Sequence, residues 1–171
     1  RALASRIEAA ERSLADERRR ADRLSERLVD VYGQLFLSLT QKERLVRAAD
    51  LLDDELAAVR TFAVGQIERL LRNGESADDA TRRAAVVLLD DPVPALRVRG
   101  VRLLDDLGAE DLPTRIVERL PRERDPEVAA AELAALANRP NAAAFNAVLP
   151  LVRDAALGEG ALDGQAQVFQ R

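Results

Sequence analysis

Apolar residues recur at helical spacing along almost the whole chain. From Leu3 to Leu35 the positions Leu3, Ile7, Ala10, Leu14, Glu17, Ala21, Leu24, Leu28, Val31 and Leu35 alternate four and three apart, and only Glu17 interrupts the apolar stripe. No Gly or Pro precedes Gly33, and Glu8–Arg12 and Asp16–Arg20 stand as i,i+4 pairs, so the pattern predicts one long coiled-coil-like helix over residues 1–37. With Ile7 at heptad position a, the flanking residues Ser13, Arg18, Arg20, Ser25 and Arg27 offer no opposite-charge pairs across a parallel homodimer. Ala10, Glu17 and Ala21 thin the seam further. The helix is therefore expected to pack on the rest of the chain or on a missing upstream helix, and to pair weakly or not at all with a second copy.

Residues 38–171 read as a succession of helix pairs. Thr40-Gln41-Lys42-Glu43 spells a capping box that opens a helix through Leu52, and Asp53-Asp54 turns it into a second helix that stops at Asn73-Gly74. Ser76 is placed to cap the next helix, which ends at the corner Asp91-Pro92, and the helix after it runs to Leu107 and Gly108. Asp111 is expected to cap a third pair, with Pro113 in its first turn, and the corner Asp125-Pro126 starts that pair's second helix. Residues 142–156, with Pro150 inside them, would open a fourth unit, and 162–171 the start of a last helix.

The clearest copy is Leu89-Asp90-Asp91-Pro92-Val93-Pro94-Ala95-Leu96-Arg97, followed by Gly100. Upstream, Leu52-Asp53-Asp54 leads to Val59-Arg60 and Ala63, a shift of about 37 residues; downstream, Asp125-Pro126-Glu127 leads to Val128 after about 32. No segment shows sustained period-two alternation, so the fold class is all-α.

Composition narrows the chemistry. The 171 residues are 47% hydrophobic and only 3% aromatic, so Leu, Ala and Val must build the core. Cys and His are both absent, which removes disulfides, thiol nucleophiles, imidazole acid–base catalysis and the usual zinc sites. No catalytic residue, metal or cofactor is expected. A net charge of −4 gives no overall attraction to nucleic acid or to anionic membrane. Arg carries nearly all the positive charge, with Lys42 the sole lysine, a composition of bacterial, GC-rich character. No apolar run is long enough to span a bilayer, so a cytoplasmic location is expected; the sequence reads as a fragment of a longer chain, whose upstream targeting signals would not be seen.

With these residues laid out, the chain resembles HEAT repeats, whose second helix opens with an Asp, often a Pro, then Val-Arg and a small residue. The resemblance covers about residues 40–171. It implies an α-solenoid of three to four helix pairs, with second helices on the concave side and Asp and Arg side chains laddering between repeats. Ala129, where the third copy lacks the arginine, departs from that pattern.

Two sets of residues stand out. Asp54, Asp91, Pro92, Asp125 and Pro126 recur at the corners, where an acid before a helix stabilises its start, so they read as structural caps rather than acid–base or metal pairs. Asp105-Asp106, near a helix end, reads as solvated surface. Arg97, Arg99 and Arg102, with Arg60 expected one layer away, form the densest basic cluster and would suit carboxylates on an acidic partner helix. Nucleic acid is disfavoured, because the segment Val128 to Asn138 lacks Arg and Lys and no aromatic residue interleaves with the arginines. The expected role is a non-enzymatic protein-interaction scaffold whose partner is another protein or the rest of the same chain. The alternative is a nucleic-acid-binding domain or a HEAT-like enzyme of the glycosylase or lyase kind.

Overall fold

The computed structural model describes residues 2–138. Of these, 83% are helical and none lies in a strand. The α-helices among them are α1 (Ala2–Leu37), α2 (Gln41–Asp50), α3 (Ala57–Arg72), α4 (Asp79–Ala85), α5 (Pro94–Asp106), α6 (Leu112–Arg119) and α7 (Pro126–Asn138). Short 3-10 turns at Leu51–Asp53, Val86–Asp90 and Leu120–Arg122 carry α2, α4 and α6 into their corners. The chain divides into two compact units, Arg1–Leu88 and Leu89–Arg171. The expected fourth pair, residues 142–156, and the helix start at 162–171 lie outside the described residues.

In the first unit α3 packs against α1, α2 and the 3-10 turn that follows α2. Leu45, Ala48, Leu52, Val59, Ala63, Val64 and Ile67 form its core, each at most 5% exposed. The capping box is present: Thr40 Oγ1 accepts the Glu43 amide at 3.3 Å, and the Glu43 carboxylate accepts the Thr40 amide at 2.8 Å. At the far end of α3, Gly74 adopts φ of +89°, a conformation that suits glycine, while the amide of Glu75 reaches back to the carbonyl of Leu70.

Helix α1 has the expected length but buries a different face. Its C-terminal turns pack through Phe36, which is buried, and Tyr32 and Val29, which are half-buried. Phe36 meets Phe62 edge-on at 5.1 Å between centroids, and Tyr32 stacks on the same ring at 6.3 Å. Most of the heptad stripe stays outside: Ile7, Leu14, Leu24, Val31 and Leu35 remain 44–65% exposed, while Leu28 is half-buried. The helix thus packs on the rest of the chain, as expected, through its aromatic face on α3 rather than through the heptad stripe. Rings at 32 and 36 offer more apolar area than Val31 and Leu35, so the helix turns its aromatic side inward.

In the second unit α5 packs mainly on α7, and α6 lies against both. Leu96, Val101, Leu103, Leu104, Leu112, Ile116, Val128, Ala135 and Leu136 fill the interior. Gly108, with φ of +67°, closes α5. Two capping expectations change. Asp78, not Ser76, is the N-cap of α4, its carboxylate accepting both the amide and the hydroxyl of Thr81. Asp111 is the N-cap of α6 but makes no side-chain cap; its carboxylate pairs instead with Arg115 at 2.7 Å.

Candidate functional site

The corners repeat at atomic detail, in a form the sequence did not spell out. Asp54 Oδ1 accepts the amide of Leu56, and Asp91 Oδ1 accepts the amide of Val93, both at 2.8 Å. Leu56 and Val93 are themselves the N-caps of α3 and α5, and neither has a side-chain cap. These acids therefore tie the turn before the helix rather than capping the helix itself. Asp125 behaves as expected, accepting the amides of Glu127 and Val128 at 3.0 and 3.2 Å in the first turn of α7. Its corner is shorter: Val128 follows its Asp by three residues, whereas Val59 and Leu96 follow theirs by five. Pro92 is exposed within the turn and Pro126 is the first residue of α7, where a missing amide costs nothing.

The arginines of the first two corners are consumed by this architecture. Arg60 is 7% exposed and donates from Nη1 to the carbonyls of Asp54 and Glu55 at 2.7 and 3.0 Å. Arg97 repeats the bond, Nη1 to the carbonyl of Asp91 at 2.9 Å, and its Nε and Nη2 grip Glu123 bidentately at 2.9 and 3.0 Å. Of the four arginines expected to form a patch, Arg60 and Arg97 hold corners together, Arg99 is half-buried, and Arg102 is exposed on α5.

Around Arg97 lies an ionic network that sequence reading missed. Glu123 Oε1 also accepts the amides of Arg124 and Asp125 at 2.8 Å. Arg119 approaches Glu123 at 4.0 Å, reaches Glu132 at 3.4 Å and bonds Asp90. Glu132 is fully buried on α7 and its second oxygen has no hydrogen-bond partner. Burial raises the Glu132 carboxyl above the usual carboxylate range, against the pull of Arg119. Burial also acts to raise Glu123, but the Arg97 bond and the two amides outweigh it and hold that carboxyl below its ordinary value. The available signal was Glu132 itself, a charge on the apolar stripe of Val128, Ala131, Ala135 and Leu136.

The pH dependence follows from the signs. A carboxyl whose pKa is raised by folding favours the folded state most below its unfolded pKa, and that contribution is lost as pH rises through the folded value. Glu132→Gln removes it. The stability of the wild type minus that of the variant is expected to fall as pH rises above about 4.3, the ordinary Glu pKa. Urea titrations of both proteins across the acid-to-neutral range check this, and a difference that grows with pH would reverse the assignment.

The open surface lies between α5 and α7. A groove of about 680 Å³ is lined on α5 by Val98, Val101, Arg102, Asp105 and Asp106, with Ala130 and Ala134 among the α7 residues opposite. Asn138 donates to Asp105 at 3.1 Å across its end. Glu127 stands at its other end, so carboxylates outnumber the one arginine. Asp105, expected to be solvated, is thus engaged between helices, and Asp106 is exposed as expected. No group of three or more His, Cys, Asp or Glu side chains among the described residues is placed to hold a metal ion. Among the same residues no helix is long and apolar enough to cross a membrane.

No family model matches the sequence, and neither a curated protein nor a solved structure matches it.

Proposed function

We propose that the chain is a non-enzymatic protein-interaction scaffold of HEAT-like helix pairs, which takes its partner on second helices. The observation that carries the reading is the α5–α7 groove, an alanine-floored channel with charged residues at its rim. Small side chains along α7 leave room for another helix's side chains to interdigitate. The recurrence of the Asp–Arg corner, Asp54 with Arg60 and Asp91 with Arg97, supports the repeat reading, since the same six-residue spacing fixes the same bond to a corner carbonyl. The partner differs from the acidic helix first expected. With Arg97 bound to Glu123, and Asp105, Asp106 and Glu127 outnumbering Arg102 around the groove, it suits an apolar ridge bordered by basic residues.

Ala134 lies exposed on the groove floor, so Ala134→Arg fills the channel without entering the core. Affinity capture from source lysate with the wild type and with this variant tests the site. Proteins held by the wild type and lost by the variant are the expected result. An identical set from both would remove the groove from the function.

A further inference from the structure

The exposed stripe of α1 has a charge arrangement that specifies its occupant. With Ile7 at a, the residues bordering the stripe at e and g over 6–27 are Arg6, Glu11, Ser13, Arg18, Arg20, Ser25 and Arg27. All but the half-buried Ser25 are exposed, and four arginines stand against one glutamate. The opposite side of the helix is balanced: Glu8, Asp16, Asp22 and Glu26 alternate with Arg12, Arg19 and Arg23, and Arg19 pairs with Asp16. Positive charge is therefore concentrated along the g border, at Arg6, Arg20 and Arg27, while the e border sets Arg18 against Glu11.

We propose that residues 6–28 of α1 form a docking strip for a partner helix with an apolar a/d seam and Asp or Glu at e and g. Coiled-coil partners are selected by charges at these positions, and a basic border rejects a like-charged border while attracting an acidic one. A second parallel copy would bring Glu17 against Glu17 within the seam. Beyond residue 28 the border is no longer open, because Tyr32, the next e position, stacks on Phe62 of α3. The free strip is about six turns long, or about 33 Å, enough for three heptads of a partner. A membrane surface fits less well. The stripe is a narrow two-in-seven seam with two alanines and Glu17 and no aromatic residue, whereas interfacial helices carry a broad Leu-, Phe- or Trp-rich face.

This surface belongs to the first unit and does not depend on the α5–α7 groove. The test uses the whole chain and two synthetic helical peptides of about four heptads, both with Ile and Leu at a and d, one with Glu and one with Lys at every e and g. Calorimetric titration at low salt is expected to show the Glu peptide binding at least about tenfold more tightly, with the preference shrinking as salt rises. Arg18→Glu/Arg20→Glu/Arg27→Glu should reverse the preference. Leu14→Asp/Leu24→Asp, both at exposed positions, should abolish binding, and Ala134→Arg should leave it unchanged. Equal affinities, or no binding of either peptide, would overturn the proposal. So would a tight dimer in sedimentation that Leu14→Asp/Leu24→Asp dissolves, or binding to phosphatidylserine vesicles without discrimination between the peptides.

Discussion

Leu96→Asp is expected to remove about 3–5 kcal/mol of stability, through the lost packing of a leucine and the burial of a carboxylate with no designed partner. Leu96 is 2% exposed in the first turns of α5, and the residues at its place in the other corners, Val59 and Val128, are 0% exposed. Arg97 follows it directly and is already committed to Glu123 and to the Asp91 carbonyl, so its charge is not available to an introduced aspartate without breaking those bonds. Nor can the site relax easily. Leu96 lies between the corner tied by Asp91 and a helix whose Val98, Val101, Leu103 and Leu104 are all buried. Urea denaturation followed by far-ultraviolet circular dichroism checks the prediction. A loss below about 1 kcal/mol would mean that position 96 does not hold the core register assigned to it.

Local signals were legible in the sequence wherever one residue's chemistry decides the outcome. The Thr40–Glu43 capping box and the glycine stops at Gly74 and Gly108 appear where their residue types place them. The length of α1 was also readable, since nothing breaks the helical run before Leu37. Choices between two competing partners were not readable. Periodicity marked Val31 and Leu35 as part of the apolar stripe of α1, but Tyr32 and Phe36 lie one position further on and found the Phe62 ring. A stripe analysis weighs each apolar residue alike and cannot see which face meets a complementary surface. Likewise, four arginines at surface-like spacing read as a patch, although Arg60 turns back to carbonyls five and six residues before it. The Glu123–Arg97 pair spans 26 residues, so no local rule could have foreseen it. The capping acids at Asp54 and Asp91 were placed correctly but assigned the wrong bond, because the two extra residues of those corners shift the helix start past them.

That long-range pair carries the other large expected effect. Arg97→Ala should destabilise the second unit by about 3–5 kcal/mol, the range for removing one partner of a buried ion pair and leaving the other charge uncompensated. The Glu123 side chain is only 6% exposed, and Arg119 stands 4.0 Å away, too far to replace a bidentate grip. The loss has a pH signature. Glu123, held below its ordinary pKa, contributes stability that is present above the unfolded value and is lost as pH falls through the folded one. Without Arg97, only the amides of Arg124 and Asp125 are left to oppose burial at that carboxyl, so the acid-side loss of stability should become shallower in the variant. A second substitution separates charge from packing. Arg97→Ala/Glu123→Leu removes the stranded carboxylate, and because an apolar pair can replace a buried ionic one at little cost, it should recover at least half of the lost stability. A double variant no more stable than Arg97→Ala would show that the ion pair itself is not what is lost, and that the corner bonds, Arg97 to the Asp91 carbonyl and Glu123 to the amides of Arg124 and Asp125, are what hold this region in place.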